Sequence, residues 1–199
     1  MVGIAIVEDH PLMRGALASY FEKTGRWDVR GTATSLSEAK ALIAKISTDV
    51  LLLDMQLGDE WGLDIVQWLR EREAGTVLPV VAIYSNYNDY AHVSVALSMG
   101  VRAYVCKHRD EKELEEALLK ALEGGLYIDD TAGAKLKYIE NLFSILTKRE
   151  IEIVTLVKNG LSNKQIASRL NISHRTVENI LYAVYDKTGV DNRLALQKL

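Results

Sequence analysis

The sequence predicts an α/β protein: a doubly wound sheet of five parallel strands, followed by a small all-α domain that contains a helix-turn-helix. Over residues 1–123, short apolar runs alternate with amphipathic helical patterns, which is typical of a parallel sheet covered by helices on both faces. From residue 144 onward the apolar residues follow a helical period only. We therefore expect a sheet domain at 1–123, a linker at 124–143 and a helical domain at 144–199.

Five apolar segments predict the strands of the sheet. The run over residues 50–53 is apolar at every position, which is typical of a strand covered on both faces. The predicted strands are 2–7, 27–34, 50–53, 79–84 and 102–106. In such a sheet, ligands bind at the carboxyl ends of the strands, beside the point where the strand order reverses.

Capping residues predict where the helices of the sheet domain begin and end. Pro11 favours the first turn of the first helix, where a missing N–H is tolerated. Ser35 and Glu38 have the spacing of a capping box, and Asp110 is a cap for the last helix of this domain. Gly100 is the predicted end of the helix that precedes the fifth strand.

The same signals divide the C-terminal domain into helices. The segments 147–150 and 162–165 both have the form of a capping box. Asn171 favours a tight turn, after which Ser173 can cap a longer helix. Two helices joined by so short a turn are similar to a helix-turn-helix.

Charge is unevenly divided between the two parts of the chain. Residues 1–143 carry 15 basic and 22 acidic residues, a net charge of −7, whereas residues 144–199 carry 9 and 5, a net charge of +4. A basic segment on an acidic protein is typical of a module that binds nucleic acid.

Composition excludes several classes of protein. The single cysteine, Cys106, excludes an intramolecular disulfide and a multi-cysteine metal site. The apolar runs are far shorter than the roughly 20 residues of a membrane span, and the first residues lack the basic region and cleavage site of a signal peptide. We expect a cytoplasmic protein that does not enter a membrane.

Acidic residues follow two strands that are neighbours in a doubly wound sheet. Glu8 and Asp9 come after the first strand, and Asp54 comes directly after the third. Three carboxylates at one edge repel each other, and a divalent cation with oxygen ligands, such as Mg²⁺, relieves that repulsion. Ser85 and Lys107 follow the fourth and fifth strands, so a hydroxyl and an ammonium complete a place for a phosphoryl group on Asp54.

Residues 1–123 resemble the receiver domain of two-component response regulators, which implies a flavodoxin-like sheet. The matching residues are Glu8, Asp9, Asp54, Ser85, Tyr104 and Lys107. Residues 145–199 resemble the LuxR-type output domain through the segments 146–150, 160–167 and 176–179. The order of the two is that of the NarL/FixJ family.

The resemblance implies a transcription factor that is switched by phosphorylation. Asp54 would accept a phosphoryl group from a partner histidine kinase, and the modified protein would form a homodimer and bind double-stranded operator DNA. The implied Mg²⁺ ligands are Glu8, Asp9, Asp54 and the backbone carbonyl of Gln56. Lys107 would pair with one phosphoryl oxygen, while Ser85 would bond another and draw Tyr104 inward.

The resemblance also implies which residues of the C-terminal domain contact DNA. The implied base-facing positions are Glu178, Asn179 and Tyr182. The positions implied for phosphate contacts are Lys164, Arg175, Thr176 and Lys187. Glu178 departs from the family, where lysine is usual; it is either a reader of cytosine amino groups or a solvent-facing residue without a role in readout.

Two further departures lie beside the acidic cluster. Gly58 stands four residues after the expected phosphoacceptor, where the family usually has proline, which predicts a more mobile loop. His108 follows Lys107 where many receivers have proline. Neither departure removes a chemical group from the site.

Two other functions compete with this interpretation. An aspartyl-phosphate phosphohydrolase also places a nucleophilic aspartate after a buried strand, but usually has a second aspartate two residues later; here that position is Gln56, which cannot transfer a proton. A pseudo-receiver would dimerise without phosphorylation, but its signature is the loss of Asp54, Lys107 or the acid pair, and all are present. We expect Cys106 to be a buried apolar residue and His10 to have no role beyond the start of the first helix.

Overall fold

The fold is described from a computed structural model, in which residues 1–72 and 77–197 are placed. The chain divides into two compact units, Met1–Lys135 and Leu136–Leu199. Within the described residues of the first unit, the strands are β1 (Val2–Val7), β2 (Trp27–Ala33), β3 (Val50–Leu53), β4 (Gln56–Leu57), β5 (Glu60–Trp61), β6 (Val80–Ser85), β7 (Ala103–Cys106) and β8 (Tyr127–Ile128).

Helices alternate with these strands and then follow one another. The helices described in the first unit are α1 (Pro11–Lys23), α2 (Leu36–Lys45), α3 (Leu63–Arg70), α4 (Tyr90–Ser98) and α5 (Glu111–Leu122). Helix α6 (Asp130–Ser144) begins in the first unit and ends in the second. The helices described after it are α7 (Lys148–Lys158), α8 (Asn163–Leu170), α9 (His174–Thr188) and α10 (Arg193–Gln197).

The main sheet has the order β2-β1-β3-β6-β7-β8 among the described residues, and every pair in it is parallel. This confirms the doubly wound, flavodoxin-like class, with the order reversing between β1 and β3. The carboxyl ends of β1, β3, β6 and β7 therefore meet at one edge.

The count of five strands is wrong by one, because β8 adds a sixth strand from the segment predicted as a linker. A two-residue strand has no periodicity that a sequence pattern can reveal, and it is defined only by its pairing with β7. The antiparallel hairpin of β4 and β5 is also absent from the expectation. Its signal was the Gly58-Asp59 pair, a dipeptide that favours two-residue hairpin loops.

Most predicted caps are present. Asp110 accepts the Glu113 amide, and both 147–150 and 162–165 form complete capping boxes. Ser35 caps α2, but the Glu38 carboxylate bonds the amide of Thr34 rather than that of Ser35. The turn before α9 is made by a left-handed residue at 171, with φ of 52°.

Each unit has its own core. One face of the sheet packs against α1 and α5 in a cluster that includes Ile4, Phe21 and Leu118, and Leu51 and Ile83 on the opposite face are also fully buried. In the second unit, buried apolar residues of α7, α8, α9 and α10 pack together. Among the described residues, no helix is long and apolar enough to span a membrane.

Gly62 marks the tightest packing beside the edge where the strands end. A Cβ at this position would lie 2.0 Å from the backbone oxygen of Asp54. The Gly62 amide donates to the carbonyl of Met55 at 2.7 Å. The absence of a side chain thus lets the chain return past Asp54 after the hairpin.

We expect Gly62→Ala to destabilise the first unit by about 1–3 kcal/mol, because the methyl group overlaps backbone that cannot rotate away. Gly15→Ala is the matched control: its Cβ meets nothing within 4 Å in the middle of α1, so a gain of about 0.5–1 kcal/mol is expected. Urea unfolding followed by tryptophan fluorescence measures both variants, because all three tryptophans lie in the first unit. Equal midpoints for Gly62→Ala and the unmodified protein would contradict the expectation.

Candidate functional site

Two carboxylates and one ammonium meet at the carboxyl edge of the sheet. Lys107 Nζ lies 2.7 Å from Asp54 Oδ2 and 2.7 Å from Glu8 Oε2. All three side chains are at least nine-tenths buried. The strands β1, β3 and β7 thus deliver the three predicted residues to one point, where two negative charges share one positive charge.

Burial and pairing shift the pKa values of this cluster. Burial raises the pKa of Glu8, and the hydrogen bond and charge of Lys107 only partly offset that effect. Burial alone would lower the pKa of Lys107, but its hydrogen bonds with Asp54 and Glu8 outweigh it and raise the value. Lys107 is therefore held in its charged form.

Three carboxylates at this edge lie close enough together to hold a divalent cation. Ligand oxygens of Glu8, Asp9 and Asp54 all lie within 4.8 Å of one another, with Asp9 exposed to solvent. Together with Gln56 they line an open cavity of about 280 Å³. Carboxylate and carbonyl oxygens with access for water are the ligands that Mg²⁺ prefers, so this donor set fits the ion.

Two groups that the sequence interpretation missed hold the acid pair. The Arg14 guanidinium donates to the carbonyls of Glu8 and Asp9, at 2.8 and 3.2 Å. The Gly58 amide donates to Asp9 Oδ2 at 2.9 Å. Proline, which lacks an N–H, could not form this bond, so the departure at 58 ties the hairpin loop to a candidate metal ligand. The expected extra mobility of that loop stays a prediction.

Ser85 and Tyr87 also line the cavity, and Tyr104 is hydrogen-bonded to Tyr87. Ser85 is buried and lines the cavity with Tyr87, whose amide donates to Ser85 Oγ at 3.4 Å. The ring of Tyr104 is fully buried, its pKa is raised mainly by burial, and its hydroxyl donates to the Tyr87 carbonyl at 2.5 Å. The Tyr104 ring therefore already points into the protein in this structure.

An aromatic cluster that reaches the cavity through Tyr87 was missed by the sequence interpretation. Trp61, Tyr87 and His92 contact one another with ring centroids 4.6–5.4 Å apart. The Tyr87 hydroxyl donates to the side-chain oxygen of Gln56. No spacing in the sequence brings these residues together, because they come from the hairpin, a loop and α4.

His10 and Cys106, the two neighbours for which we expect no chemistry, differ in their exposure to solvent. His10 is exposed, forms no side-chain cap for α1 and lines the cavity. Cys106 is buried, as predicted, and burial followed by its hydrogen bond with Asp129 raises the pKa of its thiol to about 12. The thiol is thus protonated and unreactive at neutral pH.

In the second unit, α9 exposes one polar face. The side chains predicted to read bases are exposed, with Tyr182 at 75%. Lys164, Arg175 and Thr176 are exposed too, although the Thr176 hydroxyl is bonded to that of Ser173. Glu178, the departure from the family, lies 3.5 Å from the ring of His174.

Lys187 differs from the other predicted phosphate contacts because it is already paired. Its Nζ lies 2.8 Å from both carboxylate oxygens of Glu150, the residue that closes the capping box of α7. That ion pair joins α9 to α7. The predicted role of Lys187 in DNA binding therefore competes with an internal one.

Comparison with known proteins adds to this geometry. Residues 4–119 match the family described as "Response regulator receiver domain", and residues 144–198 match "Bacterial regulatory proteins, luxR family". The nitrate/nitrite response regulator protein NarP of Escherichia coli is 31% identical over 198 residues, which cover 96% of this chain and 91% of NarP. The response regulator protein VraR of Staphylococcus aureus is 26% identical, with 96% and 92% covered.

Solved structures show the same fold. The complex of the two-component response regulator RcsB with DNA aligns with a TM-score of 0.71 at 22% identity, covering 98% of this chain and 96% of RcsB.

We expect Glu150→Gln to weaken the second unit at neutral pH, because glutamine keeps the capping box but loses the ion pair with Lys187. The hydrogen bonds from Lys187 and the Thr147 amide lower the pKa of Glu150. The stabilisation is therefore present above the ordinary value of 4.5 and is lost as the pH falls through the lowered pKa.

Hydrogen-exchange protection of α7 and α9 measures this effect as a function of pH. The control is Glu152→Gln, which removes an exposed ion pair with Arg149 and should change protection little. Equal losses for both variants at neutral pH would contradict a special role for the pair of Glu150 and Lys187.

Proposed function

The chain belongs to the response regulators of the NarL/FixJ type, and from that premise we propose that it is a transcription factor switched by phosphorylation of Asp54. The observation that carries this proposal is the contact of Lys107 with both Asp54 and Glu8 at 2.7 Å. An ammonium fixed beside the nucleophilic carboxylate is the group that a transferring phosphoryl group needs, since such transfers depend on charge stabilisation.

The phosphoryl donor is a histidine kinase, and its transfer needs no acid or base from this chain. An Asp54 oxygen attacks the phosphorus and the P–N bond of phosphohistidine breaks, with the electron pair staying on nitrogen. Because the other ring nitrogen of phosphohistidine carries a proton, the imidazole leaves as a neutral group. Glu8, Asp9, Asp54 and the Gln56 carbonyl are suited to hold Mg²⁺, which when bound neutralises charge on the phosphoryl oxygens.

Ser85 and Tyr104 couple the modified site to its surroundings. Ser85 lines the cavity that contains Asp54, so its hydroxyl is suited to bond a second phosphoryl oxygen. Tyr104 lies on the neighbouring strand with its ring buried and its hydroxyl held by the backbone of residue 87. Phosphorylation favours the state with both groups turned toward Asp54, and that state forms homodimers.

The output is binding to operator DNA in the cytoplasm. The second unit carries the exposed face of α9, and the RcsB structure that shares this fold is a complex with DNA. We propose that α9 lies in the major groove with its N-terminal half against the bases. Two linked domains bind a two-part operator with an avidity about 10²–10⁴-fold above that of one.

We expect Asp54→Asn to abolish incorporation of a phosphoryl group from acetyl phosphate and Mg²⁺ while the fold is kept, because the two side chains have nearly the same shape. The unmodified protein should gain about 80 Da, the mass of one phosphoryl group, and a chelator should prevent the gain. Asp64→Asn, an exposed aspartate on α3, is the control and should be modified normally.

Intact-protein mass spectrometry, together with an assay for released phosphate, separates the competing functions. Stoichiometric modification of Asp54→Asn would show that the nucleophile is a different residue. Continuous phosphate release from small phosphoesters would favour the hydrolase. If the wild-type protein showed no change in mass, the pseudo-receiver would be favoured.

We expect Lys164→Ala and Asn179→Ala to weaken DNA binding in different ways. We propose that the exposed Lys164 contacts a phosphate, so its loss should weaken binding to all sequences and reduce the slope of log K against log [salt] by about one unit. Asn179 can bond adenine through two atoms, so its loss should relax specificity by about 1–3 kcal/mol at one or two base pairs and leave the slope unchanged.

Titration of operator and random DNA at several salt concentrations makes this measurement. Equal losses of affinity for operator and random DNA in Asn179→Ala would show that α9 does not read bases through this residue.

A further inference from the structure

The strand that carries Tyr104 and ends before Lys107 has its outer edge covered by the segment leading into α6. The Tyr127 amide donates to the carbonyl of Arg102, and the Asp129 amide donates to the carbonyl of Tyr104, both at 3.0 Å. The backbone of β8 thus follows β7 up to the residue that caps α6.

Asp129 bonds both elements through its carboxylate. Oδ2 accepts the Cys106 amide at 2.7 Å, beyond the end of the β8 pairing. Oδ1 accepts the amides of Thr131 and Ala132, at 2.8 and 3.2 Å, in the first turn of α6. One carboxylate therefore joins the residue before Lys107 to the start of a helix.

The Asp129 carboxylate is enclosed by the protein and lies beside a guanidinium. Its side chain is fully buried, and the Arg109 guanidinium lies 3.6 Å from Oδ1. Arg109 also bonds the Thr131 hydroxyl at 3.2 Å and lies 3.4 Å from Glu113. The hydrogen bonds from the Cys106 thiol and three amides outweigh burial and lower the pKa of Asp129, so the group stays ionised at neutral pH.

We propose that Asp129 is a positioning residue: it transmits the structural effect of phosphorylation at Asp54 from β7 to the first turn of α6. The inference rests on the proposed function. Lys107 directly follows β7 and Tyr104 lies on it, so a phosphoryl group that draws on either side chain acts on this strand. Asp129 is bonded to the backbone of β7 at residues 104 and 106. Any displacement of β7 therefore reaches the first turn of α6, whose last residue is where the luxR-family match begins.

Asp129→Asn tests this transmission, because the substitution acts on one half of the junction. Asparagine caps helices as well as aspartate does, so its oxygen can still accept the amides of Thr131 and Ala132. Its amide nitrogen then faces the Cys106 N–H, where a donor meets a donor. Asp130→Asn, one residue later and exposed, is the matched control.

The full-length variants are phosphorylated with acetyl phosphate and Mg²⁺, and operator affinity is measured with and without phosphorylation. In the wild-type protein and in Asp130→Asn, we expect phosphorylation to increase operator affinity within the usual allosteric range of about 5- to 150-fold. In Asp129→Asn we expect normal phosphorylation, by intact mass, and a gain that falls to near unity. A purely structural role would change affinity equally in both states and leave the gain intact.

Hydrogen exchange in the wild-type protein, with and without phosphorylation, supplies a second test that needs no variant. We expect phosphorylation to change the exchange of the Cys106, Thr131 and Ala132 amides, all donors to Asp129. Unchanged exchange at these amides, a full affinity gain in Asp129→Asn, or loss of phosphorylation in that variant would each overturn the inference. Failure of the wild-type protein to accept a phosphoryl group would instead overturn the proposed function.

Discussion

The contact of Lys107 with Glu8 and Asp54 is the interaction on which the rest of the site depends. Two buried carboxylates lie within reach of one another, and without a cation between them their repulsion would be strong at this depth. The ammonium satisfies both at 2.7 Å, which fixes the ends of β1, β3 and β7 relative to each other. The same charge is then already in place for chemistry at Asp54.

The backbone around this cluster is shaped to bring the carboxylates together. Gly62 allows the chain to pass against the Asp54 carbonyl, and the amide of Gly58 and the guanidinium of Arg14 hold the acid pair from two sides. These contacts arise from one tight hairpin and one helix start. Stability and site geometry thus depend on the same few residues at one sheet edge.

The second unit uses an ion pair for a different purpose. Glu150 completes the capping box of α7 and binds Lys187 of α9. One carboxylate thus stabilises the first turn of α7 and joins that helix to α9. The polar face of α9 stays exposed because its apolar residues, such as Val177 and Leu181, are turned into the core. An exposed polar face on a helix that is packed against its own core is suited to binding a DNA groove.

The sequence by itself determined five strands of the sheet, most of the helix caps and the position of the acids after β1 and β3, because periodicity and capping are local properties. The five strands are β1, β2, β3, β6 and β7. Since carboxyl ends of parallel strands share one edge, those local signals also predicted that Lys107 would lie near Asp54. Only the tertiary structure decided that β8 completes the sheet, that Tyr87 meets Trp61 and Gln56, that Lys187 is paired, and that Asp129 bonds both β7 and α6. Each of these is a contact between segments distant in sequence, whose partners are chosen by packing and backbone geometry and leave no periodic trace in the chain.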